Sequence, residues 1–195
     1  MCIRDSCLRL ETMRKDRDAY QCVVADGEPT DRETMFGRLA AAGICRTTLI
    51  DPTALISPTA KIGEGTVVCE FSTIHADVQI GCNCVIQPYC DIGHHIKIGN
   101  HAVLSTHCAP GGWSVFGTRV FAGMLSSIKD KTTIGDDAVI SMGAAVFQDV
   151  PAGATVVGNP ARITRGNDCL LYTSDAADDL LRVDLGGRRR IKKKQ

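Results

Sequence analysis

The sequence contains no apolar run approaching the roughly 18 residues of a membrane span, and no secretory signal stands at its start. A bitopic or signal-anchored protein is therefore not expected. Neither sign of charge is in excess, with 22 Lys and Arg against 22 Asp and Glu, so the chain as a whole lacks the basic field of a nucleic-acid binder. Histidine is sparse. The five are His75, His94, His95, His101 and His107, and no two of them are five residues apart.

Both ends read as foreign. Met1–Ser6 (MCIRDS) resembles a translated transposase mosaic end of the kind used in sequencing libraries. Cys169–Asp179 (CLLYTSDAADD) resembles the inverse mosaic end with its adapter, and Val183–Lys194 resembles an amplification primer read into a poly-A run. Residues 1–6 and 169–195 are accordingly expected to be adapter-derived, and the basic run from Arg188 to Lys194 is not expected to be a nucleic-acid-binding arm. The remaining 162 residues hold 14 basic and 17 acidic side chains. They are enough for one domain with a sizeable core and a fragment of another. Cytoplasm is the default compartment. Eight cysteines remain (Cys7, Cys22, Cys45, Cys69, Cys82, Cys84, Cys90 and Cys108), read as reduced core fillers rather than as a disulfide framework.

A six-residue period organises the rest. From Ile50 to Val146 sixteen of the seventeen residues at every sixth position are apolar, and four residues after them sixteen of seventeen are small or short β-branched, as in Ala54, Ala60, Thr66, Ser72, Cys84, Cys90 and Cys108. Six is neither the helical period nor strand alternation, and self-similarity of this length means a solenoid. Each hexapeptide is read as a short strand with its aliphatic residue turned into a narrow prism, then a corner eased by Gly63, Gly81, Gly93, Gly99, Gly117 or Gly135. Three strands make an eighteen-residue coil, and stacked coils pair their strands in parallel. Cys84, Cys90 and Cys108 are read as tight packers in preference to metal ligands.

The pattern [LIV]-[Gly or polar]-x-x-[small]-x over residues 48–165 resembles the signature of the left-handed β-helix acyltransferases. The fold class this implies is mainly β, a left-handed parallel β-helix of five to six coils. Three stretches are similar to the sialic-acid O-acetyltransferase and nucleotide-amino-sugar N-acetyltransferase group: Thr48–Ser57, Ile92–Gly99 and Asp149–Ile163. That group carries a small α/β nucleotide-sugar domain ahead of the β-helix. Residues 7–47 are read as its truncated remnant and 48–168 as the β-helix with its C-terminal cap. Within the remnant, 19–25 is expected to be a strand, and Thr30 or Asp31 to cap a helix from about Arg32 to Ala42 that Gly43 stops. Having lost the strands they would pair with, residues 7–47 are expected to be poorly ordered, and the tail 169–195 to touch almost nothing.

Acetyl transfer to an amine or hydroxyl needs a base, an oxyanion donor and a groove for the pantetheine arm. The resemblance places the general base at His94, where the residues alone also fit a solvated corner histidine. Residues eighteen apart stack, so Gly112 stands over His94, and the resemblance makes its N–H the oxyanion donor. Asp77 lies under His95. The carboxylate that directly follows the base in the family is here His95, so the orienting group is open between Asp77 and Asp91. A second family histidine falls at Val103 and is absent. The Pro110–Ser114 corner either shapes a pocket or only turns the chain. The resemblance further implies acetyl-CoA as co-substrate, lying along Gly123, Ser141, Gly143, Asn159, Pro160 and Ala161 in a groove between subunits of a homotrimer, while Arg162 and Arg165 either meet its phosphates or are simply solvated. The acceptor is expected to be a nucleotide-linked or free sugar, with no metal and no membrane partner. Two other readings of the repeat stay open. One is a γ-carbonic-anhydrase-like metal enzyme, although its His-x4-His spacing is missing, and the other is a non-catalytic scaffold.

Overall fold

In the computed structural model, which describes residues 21–164, the six-residue period becomes a parallel β-solenoid of about six coils. The adapter-like segments 1–6 and 169–195, and the expected contacts of the tail, lie outside the described residues. Seventeen two-residue strands follow one another from β3 (Leu49–Ile50) to β19 (Ala145–Val146). In every one the second residue is the periodic aliphatic position. Strands eighteen residues apart pair in register, as in Lys61↔Gln79↔Lys97↔Val115. Three faces result, joined at three corners. One face divides between Asp91–Ile92 and Ala109–Pro110, because Pro110 has no N–H to give the ladder.

The core is a stack of side chains with almost no contact with water. Ile74, Ile86, Ile92, Leu104, Phe116, Ile134 and Ile140 are fully buried, each contributing about 2 kcal/mol of apolar burial. The small positions have a second task. Thr66 Oγ1 donates to Gly81 O (2.9 Å), Ser72 Oγ to Gln87 O (2.9 Å), Cys84 Sγ to Gly99 O (3.1 Å), Cys90 Sγ to Ser105 O (3.1 Å) and Ser114 Oγ to Lys129 O (3.2 Å). The partner always lies fifteen residues on, so this side chain satisfies a corner carbonyl of the next coil. Burial pushes the Cys84 and Cys90 thiols up to about 11 and Cys108 up to about 12, which keeps them protonated fillers.

The corners depart from the expected chemistry. The residues in the left-handed region are mostly not glycines: twelve side chains at six-residue steps from Phe71 to Asp137 hold φ between 55° and 61°. Each costs about 1 kcal/mol or more, offset by a bond from its N–H to the coil below: to a backbone carbonyl, as in His95 N to Ala76 O (2.9 Å), Trp113 N to His94 O (3.0 Å) and Lys131 N to Gly112 O (2.9 Å), or at Phe71 and Asp77 to the hydroxyls of Thr53 and Thr59. The glycines after the aliphatic position serve close approach instead. A Cβ on Gly63 or Gly99 would stand 2.5 Å from the backbone of the glycine one coil on.

The segment ahead of the solenoid also departs from expectation: residues 21–47 have a partner. Strand β1 (Gln21–Cys22) pairs in parallel with β2 (Cys45–Arg46), and helix α1 (Pro29–Ala41) packs on the corner made by Asn83, His101 and Arg119. The helix starts three residues earlier than expected because Pro29, with its preset φ, occupies the first turn. Gly43 stops it at φ 70°, as expected. Its anchor is Arg32, fully buried. The guanidinium donates to Val24 O (2.7 Å), Asp26 O (2.7 Å), Asn83 O (2.9 and 3.0 Å) and Asn83 Oδ1 (2.9 Å), while Asn83 Nδ2 returns a bond to Arg32 O (3.0 Å). Outside this knot, Glu33 and Asp137 both bind Arg119, which holds the Asp137 carboxyl below its usual range. Arg32→Ala leaves four buried acceptors without a donor. The expected result is release of α1 at a cost of about 3 kcal/mol, read as faster amide exchange over 29–41 with unchanged protection of the strands beyond Lys97.

Candidate active site

The corner at Asp77, His94–His95, Gly112–Trp113 and Lys131 carries the titratable side chains that the sequence singles out. His94 closes the strand β10 (Asp91–Ile92) and points outward, exposed. Its imidazole lies against the Cα of Gly112: a methyl there would stand 2.9 Å from His94 Nε2 and Cε1. Any larger residue at 112 would displace the ring from this position. The predicted stacking of 112 over 94 is what the structure has.

The Gly112 N–H takes no partner among the described residues. At equivalent positions on the neighbouring corner the N–H is capped by a side chain one coil on, Cys82 N by Asn100 Oδ1 (2.8 Å) and Thr118 N by Asp136 Oδ1 (2.7 Å). On the corner of Gly112 itself the N–H groups of Ala76, His94 and Asp130 likewise have no partner among the described residues.

Trp113 frames both histidines. Its ring meets His94 edge-on at 4.3 Å between centroids and lies nearly parallel to His95 at 5.4 Å. Lys131 Nζ sits 5.6 Å from the same indole. The Pro110–Ser114 turn therefore does more than reverse the chain, since it delivers both the free N–H and the indole. Of the two carboxylates expected to orient His94, neither touches it. Asp91 Oδ1 is bonded to His75 Nε2 at 2.9 Å, a pair the sequence reading missed because its partners are sixteen residues apart and meet only through stacking. Asp77 Oδ2 lies 3.4 Å from His95 Nε2, and His95 Nδ1 in turn lies 3.1 Å from His94 Nδ1.

The residues expected to hold CoA fall elsewhere. Gly123 and Ser141 end stacked strands leading into a different corner, where Gly143 sits at φ 68° with nothing within 4 Å of a Cβ. Asn159, Pro160 and Ala161 close the last turn over it, with Ala145 N bonded to Gly158 O (3.0 Å) and Ala161 N to Ala145 O (2.8 Å). A full face of the prism separates this corner from His94, so one chain does not bring the two groups together. The same corner exposes Phe71, Tyr89, Met124, Leu125 and Met142, with Phe71, Tyr89 and His107 stacked at 5.2 and 5.0 Å. Val103, where the second family histidine would fall, is buried. Arg162 is exposed and bonds only the carbonyl of Ala161 (3.2 Å), and Arg165 lies outside the described residues. Among the described residues no three His, Cys, Asp or Glu side chains converge as a metal site would need, and no helix is long and apolar enough to cross a membrane.

Comparison with known proteins agrees with this architecture. Residues 77–109 match the family model described as bacterial transferase hexapeptide (six repeats). The acetyltransferase domain of PglB from Neisseria gonorrhoeae FA1090 superposes with a TM-score of 0.76 at 25% identity, over 79% of this chain and 77% of that one. PerB from Caulobacter crescentus, solved with CoA and GDP-perosamine, gives a TM-score of 0.77 at 28% identity over 80% and 74%. YvoF of Bacillus subtilis (strain 168), which bears an acetyltransferase name, is 38% identical over 68 residues. That match spans about a third of the curated relative, 36% of its length. The repeat matches the hexapeptide model and the fold is the left-handed β-helix seen in these solved acetyltransferases.

Proposed function

We propose that this chain moves an acetyl group from acetyl-CoA to the amine of a nucleotide-linked sugar, with His94 as general base. The observation that carries the reading is the packing of the His94 imidazole against Gly112, whose N–H has no partner among the described residues. A base and an oxyanion donor within one side chain's width of each other are what acyl transfer to an amine requires. The similarity to PerB, whose structure holds CoA and GDP-perosamine, supports the choice of donor and acceptor.

The thioester supplies an activated acetyl group. His94 Nε2 takes the proton released as the acceptor nitrogen bonds to the acetyl carbon, and gives it to the sulfur as the carbon–sulfur bond breaks. The Gly112 N–H donates to the carbonyl oxygen while it carries negative charge. Trp113 walls one side of the site against water. A hydroxyl acceptor would follow the same proton path, and the amine is preferred on the likeness to PerB.

Gly123, Ser141, Gly143 and Asn159–Ala161 would hold the CoA arm. The open space at Gly143 and the exposed Met124 and Met142 beside it fit an extended, largely apolar chain. Because this corner is remote from His94, each complete site would combine the histidine corner of one subunit with the aromatic corner of the next, in a homotrimer. The apolar surface at Phe71, Tyr89 and Leu125 supports such burial. Consumption of acetyl-CoA places the reaction in the cytoplasm, with residues 7–47 read as the remnant of the unit that holds the nucleotide.

The test is a turnover assay of the full chain with acetyl-CoA and a panel of nucleotide-linked amino sugars and their hydroxyl counterparts, following thiol release and acetylated product by mass spectrometry. N-acetylated product on an amino sugar is expected. Product only on hydroxyls would move the reading to O-acetylation, and no product on any acceptor would remove it.

A further inference from the structure

A carboxylate lies two side chains away from His94. His95 Nδ1 faces His94 Nδ1 at 3.1 Å, and the opposite nitrogen of the same ring, His95 Nε2, lies 3.4 Å from Asp77 Oδ2. We infer that Asp77 and His95 form a positioning relay that sets the tautomer of His94, an inference that rests on the reading of His94 as the base.

The argument is one of proton counting. Two imidazole nitrogens facing each other at 3.1 Å hold one proton between them, so one is N–H and the other a lone pair. An ionised carboxylate only accepts. The negative charge of Asp77, 3.4 Å away, favours the tautomer of neutral His95 that carries its proton on Nε2, leaving His95 Nδ1 with a lone pair. That lone pair accepts from His94 Nδ1–H, and a neutral His94 must then carry its own lone pair on Nε2, the nitrogen that rests against Gly112. Without the relay the two tautomers of an exposed imidazole compete, and the one with Nε2–H is no base toward the acceptor. The fold holds the row in place by its backbone. Asp77, His95 and Trp113 share φ of 58°, 59° and 58°, so three successive coils aim their side chains in one column. His95 N is tied to Ala76 O, Trp113 N to His94 O, and Asp77 N to Thr59 Oγ1 (2.9 Å). The indole lying along the His95 ring keeps its plane fixed. Asp91 cannot substitute, because His75 holds it.

The experiment uses the full chain with ¹⁵N-labelled histidine, together with acetyl-transfer kinetics, for wild type, Asp77→Asn, His95→Asp and the double variant. Asp77 and His95 are about half exposed, with side-chain exposures of 52% and 47%, so these changes leave the core untouched. In wild type His94 is expected to show protonated Nδ1 and unprotonated Nε2. Asp77→Asn, whose amide both donates and accepts, is expected to give mixed His94 tautomers and to lower kcat by about tenfold or more with KM for acetyl-CoA unchanged. His95→Asp breaks the link between Asp77 and His94, so whatever its own kcat, adding Asp77→Asn to it has no further effect. The relay is overturned if Asp77→Asn leaves both the His94 nitrogen shifts and kcat unaltered, or if it costs as much beside His95→Asp as alone. Full activity of His94→Ala would instead remove the base reading, and the nitrogen shifts would still decide the relay.

Discussion

Replacing His94 with alanine is expected to lower kcat for acetyl transfer by about a thousandfold, roughly 4 kcal/mol of barrier, while the affinity for acetyl-CoA is unchanged. The size follows from the role. A positioned base that later acts as acid contributes at two bond changes, and no other side chain in contact with Gly112 can take its place. The selectivity follows from geometry, since the residues assigned to the donor lie on another corner of the prism. His94 is exposed and makes no contact that the core depends on, so the melting temperature should hold. Steady-state kinetics, calorimetry with acetyl-CoA and a thermal melt on one preparation check all three. Turnover within a few-fold of wild type would show that the acceptor loses its proton elsewhere.

The second large effect is recovery from two inactive chains. His94→Ala removes the base, and Ser141→Trp fills the corner assigned to CoA at a position only partly exposed and outside the core. Each homotrimer alone is expected to fall below about 1% of wild-type activity. Co-assembled from equal amounts of the two chains, the mixture is expected to regain about a quarter, because half the subunits keep a working histidine corner and half of their neighbours a working donor corner. A mixture as inactive as its parents, with trimers confirmed by light scattering, would mean that each site is built within one chain.

The regularity of the solenoid made most of the fold legible in advance. One aliphatic residue per six fixes strand position and inward face together, and a period of eighteen fixes which residues stack, so Gly112 over His94 and Asp77 beneath His95 followed from counting. What counting does not contain is side-chain direction. The stacking of 77 and 95 was foreseen, but that Asp77 reaches His95 rather than His94, and that Asp91 is taken by His75, depends on rotamers at the corner. The left-handed corner residues were hidden for a related reason. Phe71, Tyr89 and Leu125 are poor αL formers by propensity, and they adopt it because each backbone N–H is satisfied by the coil below. Arg32 shows the same limit in the segment 21–47, whose exposed-looking helix pattern gave no hint that a buried guanidinium would fasten it to Asn83 across 51 residues. The remoteness of Gly123, Ser141 and Gly143 from His94 was readable in principle, since their places in the period put them on another corner.

The most direct test of the account is calorimetric titration of acetyl-CoA into this chain, with its assembly state fixed beforehand by light scattering. Saturable binding close to one acetyl-CoA per chain, lost in Ser141→Trp and retained in His94→Ala, is the predicted result. A folded trimer that gives no heat with acetyl-CoA would contradict it, and would leave the His94 corner without the thioester on which its chemistry depends.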